Sequence, residues 1–289
     1  MTGAGGFDAF AVSARSGPHV TLQAGVVHLG RHWTTTTRGS VKAGAIRRTG
    51  WAAVSTMEGR GFRLVGGPAS VLDPAHPSTI AAEPMNTMLA GCALLRLGLG
   101  RLDQLVGYAE ARSAVPLSFL PSGRVVLTTR IRDDLVLEGD ALVQAHGRWD
   151  GAGGEIRVTR GRAPRWQPDR VLDGLPEEIA LLAGRAGQGW LGVRTGSGAV
   201  ALPAAWDPAT GHLRVARAGL AAVDAEVPGP VCVSLDDSAS RRPDEKLGVM
   251  LRGTGTVVDL DERVASIALA VERVTHWCGF ASTTVLEAA

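Results

Sequence analysis

The sequence predicts a mainly β protein that contains two copies of one domain. Short runs rich in β-branched residues alternate with turn signals such as Ser16-Gly17-Pro18, which is typical of strands joined by tight turns. The order of elements near the N-terminus returns in the last third of the chain, at an offset of 180 residues that aligns His212 with His32. A repeat of this length indicates two domains rather than a solenoid, and 289 residues are enough for two cores.

The first copy begins with a predicted hairpin and continues through a third strand, a short helix and two more strands. Turn residues separate the strands, a bulge is expected at Gly66-Gly67, and Ser40 can cap the helix. The predicted strands cover residues 10–15, 19–27, 33–37, 51–56 and 62–72, and the predicted helix covers residues 40–48.

Accessory elements surround the two copies. Residues 79–112 are dense in Ala, Leu and Met and predict helix, and residues 175–186 predict another helix. Residues 261–278 predict a third, because apolar side chains recur on one face with charged ones opposite. The remaining predictions are strands over 117–120, 125–129 and 135–137, a linker over 161–167, and domains over 1–165 and 166–289.

The charge balance excludes one class of partner. With 30 Lys and Arg against 28 Asp and Glu, the chain lacks the broad basic face that duplex nucleic acid requires. The three cysteines lie far apart, without metal-site spacing, and fit a reduced, cytoplasmic protein. No secretory signal pattern is visible, and the most apolar run, Met88 to Gly100, is too short to cross a bilayer. We therefore expect a soluble, cytoplasmic protein with no membrane partner and no metal site.

Anion-binding side chains concentrate at the end of the third predicted strand. Hydroxyls and cations follow one another there, and a lysine is notable because the chain has only two, Lys42 and Lys246. Ammonium, guanidinium and hydroxyl groups are ordinary phosphate partners. The predicted seat for a phosphate consists of Thr35, Thr36, Thr37, Arg38, Ser40 and Lys42. The alternative is a β-branched strand followed by a capped helix start with solvated arginines.

This order of elements resembles the pyridoxamine-phosphate-oxidase-like split β-barrels. The resemblance covers about two-thirds of the chain, and its motifs are short and degenerate. It is carried in the first copy by Thr35 to Thr37, Arg38, Gly39, Ser40, Lys42, Ile46 and residues 62–66, and in the second by Pro203, Trp206, Gly211 to Leu213 and residues 248–253.

The resemblance implies a fold and a function. It implies two tandem split barrels packed as an intramolecular pseudo-dimer, with a further homodimer possible, and a cofactor site between the barrels. The implied cofactor is FMN, with F420 or haem as alternatives, and the implied activity is oxidoreduction of a small organic substrate. Trp206 is a candidate to pack beside the cofactor ring, or else an ordinary core tryptophan. His276 is a candidate haem ligand, or else a solvated helix-end histidine.

Two departures limit what the resemblance implies. Ala45 stands where relatives often have asparagine, and the C-terminus lacks the arginine-rich signature of true pyridoxamine-phosphate oxidases, so vitamin B6 oxidation is not expected. A protein that only binds the cofactor, or that has lost it and serves as an interaction domain, stays open. The acidic pair Asp236-Asp237 is interpreted as part of a solvated loop.

The two copies differ at the predicted seat. At the 180 offset, Lys42 aligns with Ala222, Ser40 with Leu220 and Arg38 with Ala218, whereas Gly39 aligns with Gly219. Three anion-binding residues have thus become aliphatic. The hypothesis is that one phosphate site is kept, in the N-terminal copy, and that the other is lost.

Overall fold

The computed structural model describes residues 7–59, 61–151, 153, 155, 156, 158, 166–237 and 242–286. These residues form two β-sheets with accessory helices, one sheet from each half of the chain. The N-terminal half contains β1 (Asp8–Ala14), β2 (Gly17–Gln23), β3 (Gly25–His28), β4 (Arg31–Thr37), α1 (Val41–Thr49), β5 (Trp51–Glu58), β6 (Gly61–Leu72), α2 (Pro77–Ala82), α3 (Pro84–Gly100), α4 (Leu102–Glu110), β7 (Arg124–Arg130), β8 (Asp133–Glu138) and β9 (Ala141–His146).

The C-terminal half repeats the order of the barrel strands and of helix α1 after two short helices. It contains α5 (Pro168–Leu172), α6 (Glu177–Ala183), β10 (Gly187–Thr195), β11 (Gly198–Asp207), β12 (His212–Ala216), α7 (Arg217–Ala222), β13 (Gly229–Asp237), β14 (Leu247–Leu260), β15 (Val264–Cys278) and β16 (Ala281–Leu286). Most of the expected linker, residues 161–165, lies outside the described residues.

The strand orders of the two sheets match, which confirms the predicted tandem β fold. Neighbouring strands run β2-β1-β5-β6-β7-β4 in the first half and β11-β10-β13-β14-β15-β12 in the second. In the second half β11 also pairs with β12, which closes a six-stranded barrel. In the first half the described strands β2 and β4 are not hydrogen-bonded to each other, and β3 pairs with β4 instead. The first barrel is therefore open between β2 and β4.

The helix expected over 261–278 is wrong, because this segment is the long strand β15. It pairs with β14 along its length, with β12 at its start and with β16 at its end. The successive side chains of Ile267, Ala268 and Leu269 are all buried, so the alternation of a half-exposed strand is hidden. The strand expected over 117–120 is also wrong, since Leu117–Phe119 forms a 3₁₀ turn.

The helices expected over 79–112 are confirmed as α2, α3 and α4, and they have no counterpart in the second half. They lie between β6 and β7, whereas β14 and β15 are joined by residues 261–263 alone. The helical segment is thus an insertion into the first barrel only. No described helix has both the length and the apolar character needed to cross a membrane.

The two halves pack face to face through strands of both sheets. Buried side chains of β1, β2 and β5 share one continuous hydrophobic core with those of β10, β11 and β13. The Ser55 hydroxyl donates to the carbonyl of Ala201 across this face at 2.6 Å. A Cβ built on Gly192 would lie 2.7 Å from Val20 Cγ2, so the backbones approach closely there. This is the pseudo-dimeric arrangement expected from the repeat.

Candidate functional site

A cleft of about 600 Å³ lies between the two halves. Its N-terminal wall comes from the end of β2, the end of β4, the start of α1 and the start of β7. Helices α3 and α4 form a second wall. Residues from β13, the β13–β14 connection, the end of β15 and the β15–β16 turn complete the cleft from the C-terminal half. The cleft therefore needs both halves and the helical insertion.

One end of the cleft collects the predicted hydroxyls and a cation. Thr35, Thr36, Thr37, Ser40 and Lys42 all line it. The Ser40 Oγ accepts a hydrogen bond from the N–H of Ala43 at 3.2 Å, as the N-cap of α1, which leaves its own proton available to a ligand. The structure thus brings together five of the six residues of the predicted seat.

Lys42 lies at the opening of the first barrel. Its Nζ donates to Thr21 Oγ1 of β2 at 2.9 Å, at the edge where β2 and β4 do not pair. Removal from water, together with the positive charge of Arg124, lowers the pKa of Lys42 to about 7. Among the described residues, the groups that shift this pKa include no carboxylate.

Arg124 is a member of this site that the sequence did not reveal. It begins β7, lines the cleft, and its Nη2 donates to Thr35 Oγ1 at 2.7 Å. The contact follows from the β4–β7 pairing, which sets Arg124 opposite Thr37. Arg124 is 89 positions after Thr35, so no local sequence motif contains both residues. Only the register of the sheet brings them together.

Arg38 is the one residue of the predicted seat that does not line the cleft. Its Nε donates to both carboxylate oxygens of buried Asp73, at 2.9 and 3.1 Å, and its Nη2 donates to the carbonyl of Ser122. Arg47 binds the same carboxylate at 3.1 Å. Burial acts to raise the pKa of Asp73, but the hydrogen bond and the charge of Arg38, with hydrogen bonds from Ala75 and His76, lower it overall. Arg38 therefore joins α1 to the insertion rather than facing a ligand.

Trp206 is also absent from the cleft lining. It is buried in the C-terminal core, where its indole N–H donates to the carbonyl of Ala183 at 2.8 Å and its ring packs edge-on against Trp166. The alternative of a core tryptophan therefore holds. His276 lies within β15 rather than at a helix end, and it does not line the cleft either.

The other end of the cleft is apolar and aromatic. Phe280 packs edge-on against Phe119, with ring centroids 4.8 Å apart, and lies 6.2 Å from the ring of Tyr108. Leucines of α3 and α4 extend this surface. The full set consists of Phe7, Leu94, Leu97, Leu105, Tyr108, Phe119, Trp277 and Phe280. Sequence analysis missed it because its members come from four separate segments.

An acidic group from the C-terminal half stands beside the aromatic end. Asp236 is the last residue but one of β13 and lines the cleft, which corrects its interpretation as part of a solvated loop. Burial raises its pKa to about 7, against the opposing effects of nearby Lys246 and of a hydrogen bond from Trp277. Lys246 Nζ lies 3.6 Å from the centroid of the Phe7 ring.

Comparison with known proteins bears on the fold. No family model and no curated protein matches the sequence. Among solved structures, general stress protein 26 from Bacillus anthracis matches at 10% identity and a TM-score of 0.30, covering 46% of this chain and 84% of its own. An F420 reductase matches at 17% identity and 0.30, covering 45% and 90%. A pyridoxinephosphate oxidase family protein from Clostridium acetobutylicum matches at 10% and 0.33, covering 50% and 88%.

The chain resembles the pyridoxamine-phosphate-oxidase-like split barrels. Each match spans about half of the chain. The tandem β fold is established by the strand pairing of this chain itself.

In the second barrel, the positions that correspond to the serine and the lysine of the predicted phosphate seat are occupied by buried apolar side chains. Helix α7 follows β12 as α1 follows β4, but Leu220 and Ala222 on α7 are buried in the shared core. A Cβ built on Gly219 would contact Leu137 Cδ2 of β8 at 3.6 Å, so the first half packs directly onto this helix. In the described residues, the hydroxyl and cation set of the cleft thus belongs to the N-terminal barrel.

Proposed function

We propose that the cleft binds one phosphate-bearing flavin-type cofactor per chain and that the protein is an oxidoreductase acting on a small organic substrate. FMN is placed ahead of F420, because the seat suits both and FMN is the more widespread. The observation that carries the proposal is a set of cations and hydroxyls, among them Lys42, Arg124 and Ser40, gathered at one end of a cleft between two barrels.

The residues present fit such a group. Lys42 and Arg124 would supply charge-assisted hydrogen bonds to the phosphate, and Ser40 with Thr35 to Thr37 would supply hydroxyl donors. The N-terminus of α1 adds a favourable dipole for an anion. Leu94 and Leu97 of α3, which also line the cleft, would flank the cofactor ring and exclude water from it. When bound, the cofactor would supply two-electron redox chemistry at its ring.

Haem is less well served by this cleft than a phosphate-bearing cofactor is. Among the described lining residues, Tyr108 is the one side chain of a usual haem-ligand type. A seat that gathers Lys42, Arg124 and hydroxyls favours a compact anion instead.

The absorption spectrum of the purified protein, followed by titration with FMN and with F420, tests the proposal. Flavin or deazaflavin bands, or tight binding of either compound, support it, and a Soret band would redirect it to haem. A colourless protein that binds neither compound would contradict it. Binding without turnover of any reducible substrate would leave a cofactor-binding protein rather than an enzyme.

The Lys42→Ala variant tests the seat itself. Loss of one charge-assisted hydrogen bond should weaken FMN binding by about 1.5–3 kcal/mol, roughly 10- to 150-fold, in isothermal titration. Arg48→Ala is the matched control, since Arg48 is an exposed cation of the same helix whose Nη2 donates to the carbonyl of Ser13 outside the cleft. Equal affinities for the two variants would remove Lys42 from the site.

A further inference from the structure

Aromatic residues are rare in this chain yet gather around the cleft. They form only 4% of the sequence, but three of the five phenylalanines and the single tyrosine line this one space. Phe119, Tyr108 and Phe280 form a contiguous surface through their ring contacts. Rings packed edge-on and tilted in this way offer apolar faces and edges, which suit a flat apolar partner.

Two of these rings come from a segment that the barrel itself does not require. Tyr108 lies on α4 and Phe119 in the 3₁₀ turn that follows, both within the insertion between β6 and β7. The second barrel makes the equivalent connection with residues 261–263. The insertion belongs to the barrel that has the seat. Its helices α3 and α4 line the cleft and do not extend the sheet.

Two charged side chains, Asp236 and Lys246, line the cleft from the opposite half. The indole of Trp277 donates to the Asp236 carboxylate and so orients it. A carboxylate has acceptor positions for further donors, and those of Asp236 line the cleft. Lys246, the nearest cation, rests against the ring of Phe7, which holds its charge to one side.

We propose that the aromatic end of the cleft is a substrate subsite for a flat aromatic compound that carries one O–H or N–H group, which Asp236 accepts. Describing the compound as a substrate rests on the proposed function, whereas its binding does not. The phosphate seat and this subsite are built from different elements, so each can be tested with the other intact.

The test uses 1-naphthol, 1-methylnaphthalene and decahydro-1-naphthol as probes in titrations of the full chain. The first has a flat ring and a hydroxyl, the second lacks the hydroxyl, and the third lacks the flat ring. We expect 1-naphthol to bind at least tenfold more tightly than either of the others. Equal binding of decahydro-1-naphthol would overturn the aromatic class, and equal binding of 1-methylnaphthalene would overturn the role of Asp236.

Two variants assign the effect to residues. Phe280→Leu keeps an apolar side chain but removes the ring, and it should weaken 1-naphthol binding at least fivefold. Asp236→Asn keeps the shape, and it should abolish most of the preference for 1-naphthol over 1-methylnaphthalene. Leu181→Ala is the control, because Leu181 is an exposed apolar residue of α6 outside the cleft. Unchanged affinity in Phe280→Leu would contradict the subsite.

Parallel titrations with FMN separate this inference from the proposed function. FMN affinity should stay within threefold of the unmodified protein in Phe280→Leu, and 1-naphthol should bind in the presence of FMN. Strict competition between the two compounds would show that the aromatic end holds the cofactor ring, which overturns the assignment. If FMN does not bind at all, the proposed function fails, while the probe series still decides on the subsite.

Discussion

Lys42 is the cation of the predicted seat whose pKa is shifted furthest by its surroundings. Its pKa of about 7 means that the ammonium form is costly in the unliganded protein, since burial and Arg124 both oppose it. A bound anion favours the ammonium, so binding above pH 7 takes up a proton. The residue can therefore make affinity depend on pH near neutrality, which an ordinary exposed lysine could not do.

Binding of inorganic sulfate should weaken as pH rises from 6 to 9. Sulfate keeps its charge over this range, so the change reports the protein, in which Lys42 loses its proton above about pH 7. Ionisation of Asp236 above about pH 7 acts in the same direction across the cleft. Titration calorimetry should show a flat profile in Lys42→Arg combined with Asp236→Asn. A profile that stays flat in the unmodified protein would contradict this role.

Sequence clustering predicted lining residues of the cleft only where these residues are neighbours in the sequence. Ser40, Lys42 and the threonines follow one another within eight positions and line the cleft. Arg38 shares that cluster, but Asp73, which is 35 positions away, holds its guanidinium. Arg124 and Asp236 reach the cleft through sheet pairing and through the packing of the halves. No pattern in a single sequence specifies such contacts.

The β14–β15 ladder contains a close approach at Gly253. A Cβ built there would lie 1.7 Å from the backbone oxygen of Ala270, at the register shift that bends the strand. Neither atom can move away without disturbing the ladder. The backbone conformation of Gly253 would allow any residue. The reason for a glycine here is therefore the lack of space for a side chain.

Gly253→Ala should lower the free energy of unfolding by about 1–3 kcal/mol, because the backbone must shift to accept the methyl group. Gly91→Ala is the matched control, since a Cβ at Gly91 meets nothing within 4 Å on helix α3. That exchange should raise stability by about 0.5–1 kcal/mol, as expected for glycine in a helix interior. Urea unfolding measures both, and equal effects of the two changes would refute the packing account.

Element type was predictable for the short strands and for the helical insertion, but not for the 15-residue strand β15. The short strands of the first half and helices α2 to α4 match their expected patterns. Strand β15 was mistaken for a helix because it is covered on both faces over part of its length. Its apolar residues then satisfy a helical spacing as well as a strand one.

At the scale of the whole molecule, the two barrels are similar in strand order and different in what they hold. The repeat at an offset of 180 predicted the tandem fold. The insertion between β6 and β7 was visible as helix, but its position beside the cleft depends on tertiary packing. The filled surface of α7 agrees with the hypothesis that one site is kept.

Titration with FMN should end near one molecule per chain. The seat residues Lys42 and Ser40 align with buried Ala222 and Leu220, which leave neither space nor charge for a second phosphate. Equilibrium dialysis or calorimetry gives the ratio directly. Two equivalent sites per chain would contradict the asymmetry.

The cleft draws its walls from both barrels, and both barrels belong to one polypeptide with a shared core. In an assembly of separate subunits, dilution would favour dissociation, which would separate the two walls and release the ligand. Here the two partners are tethered, so their encounter is intramolecular at any protein concentration. Ligand affinity should therefore be the same in nanomolar and in micromolar protein.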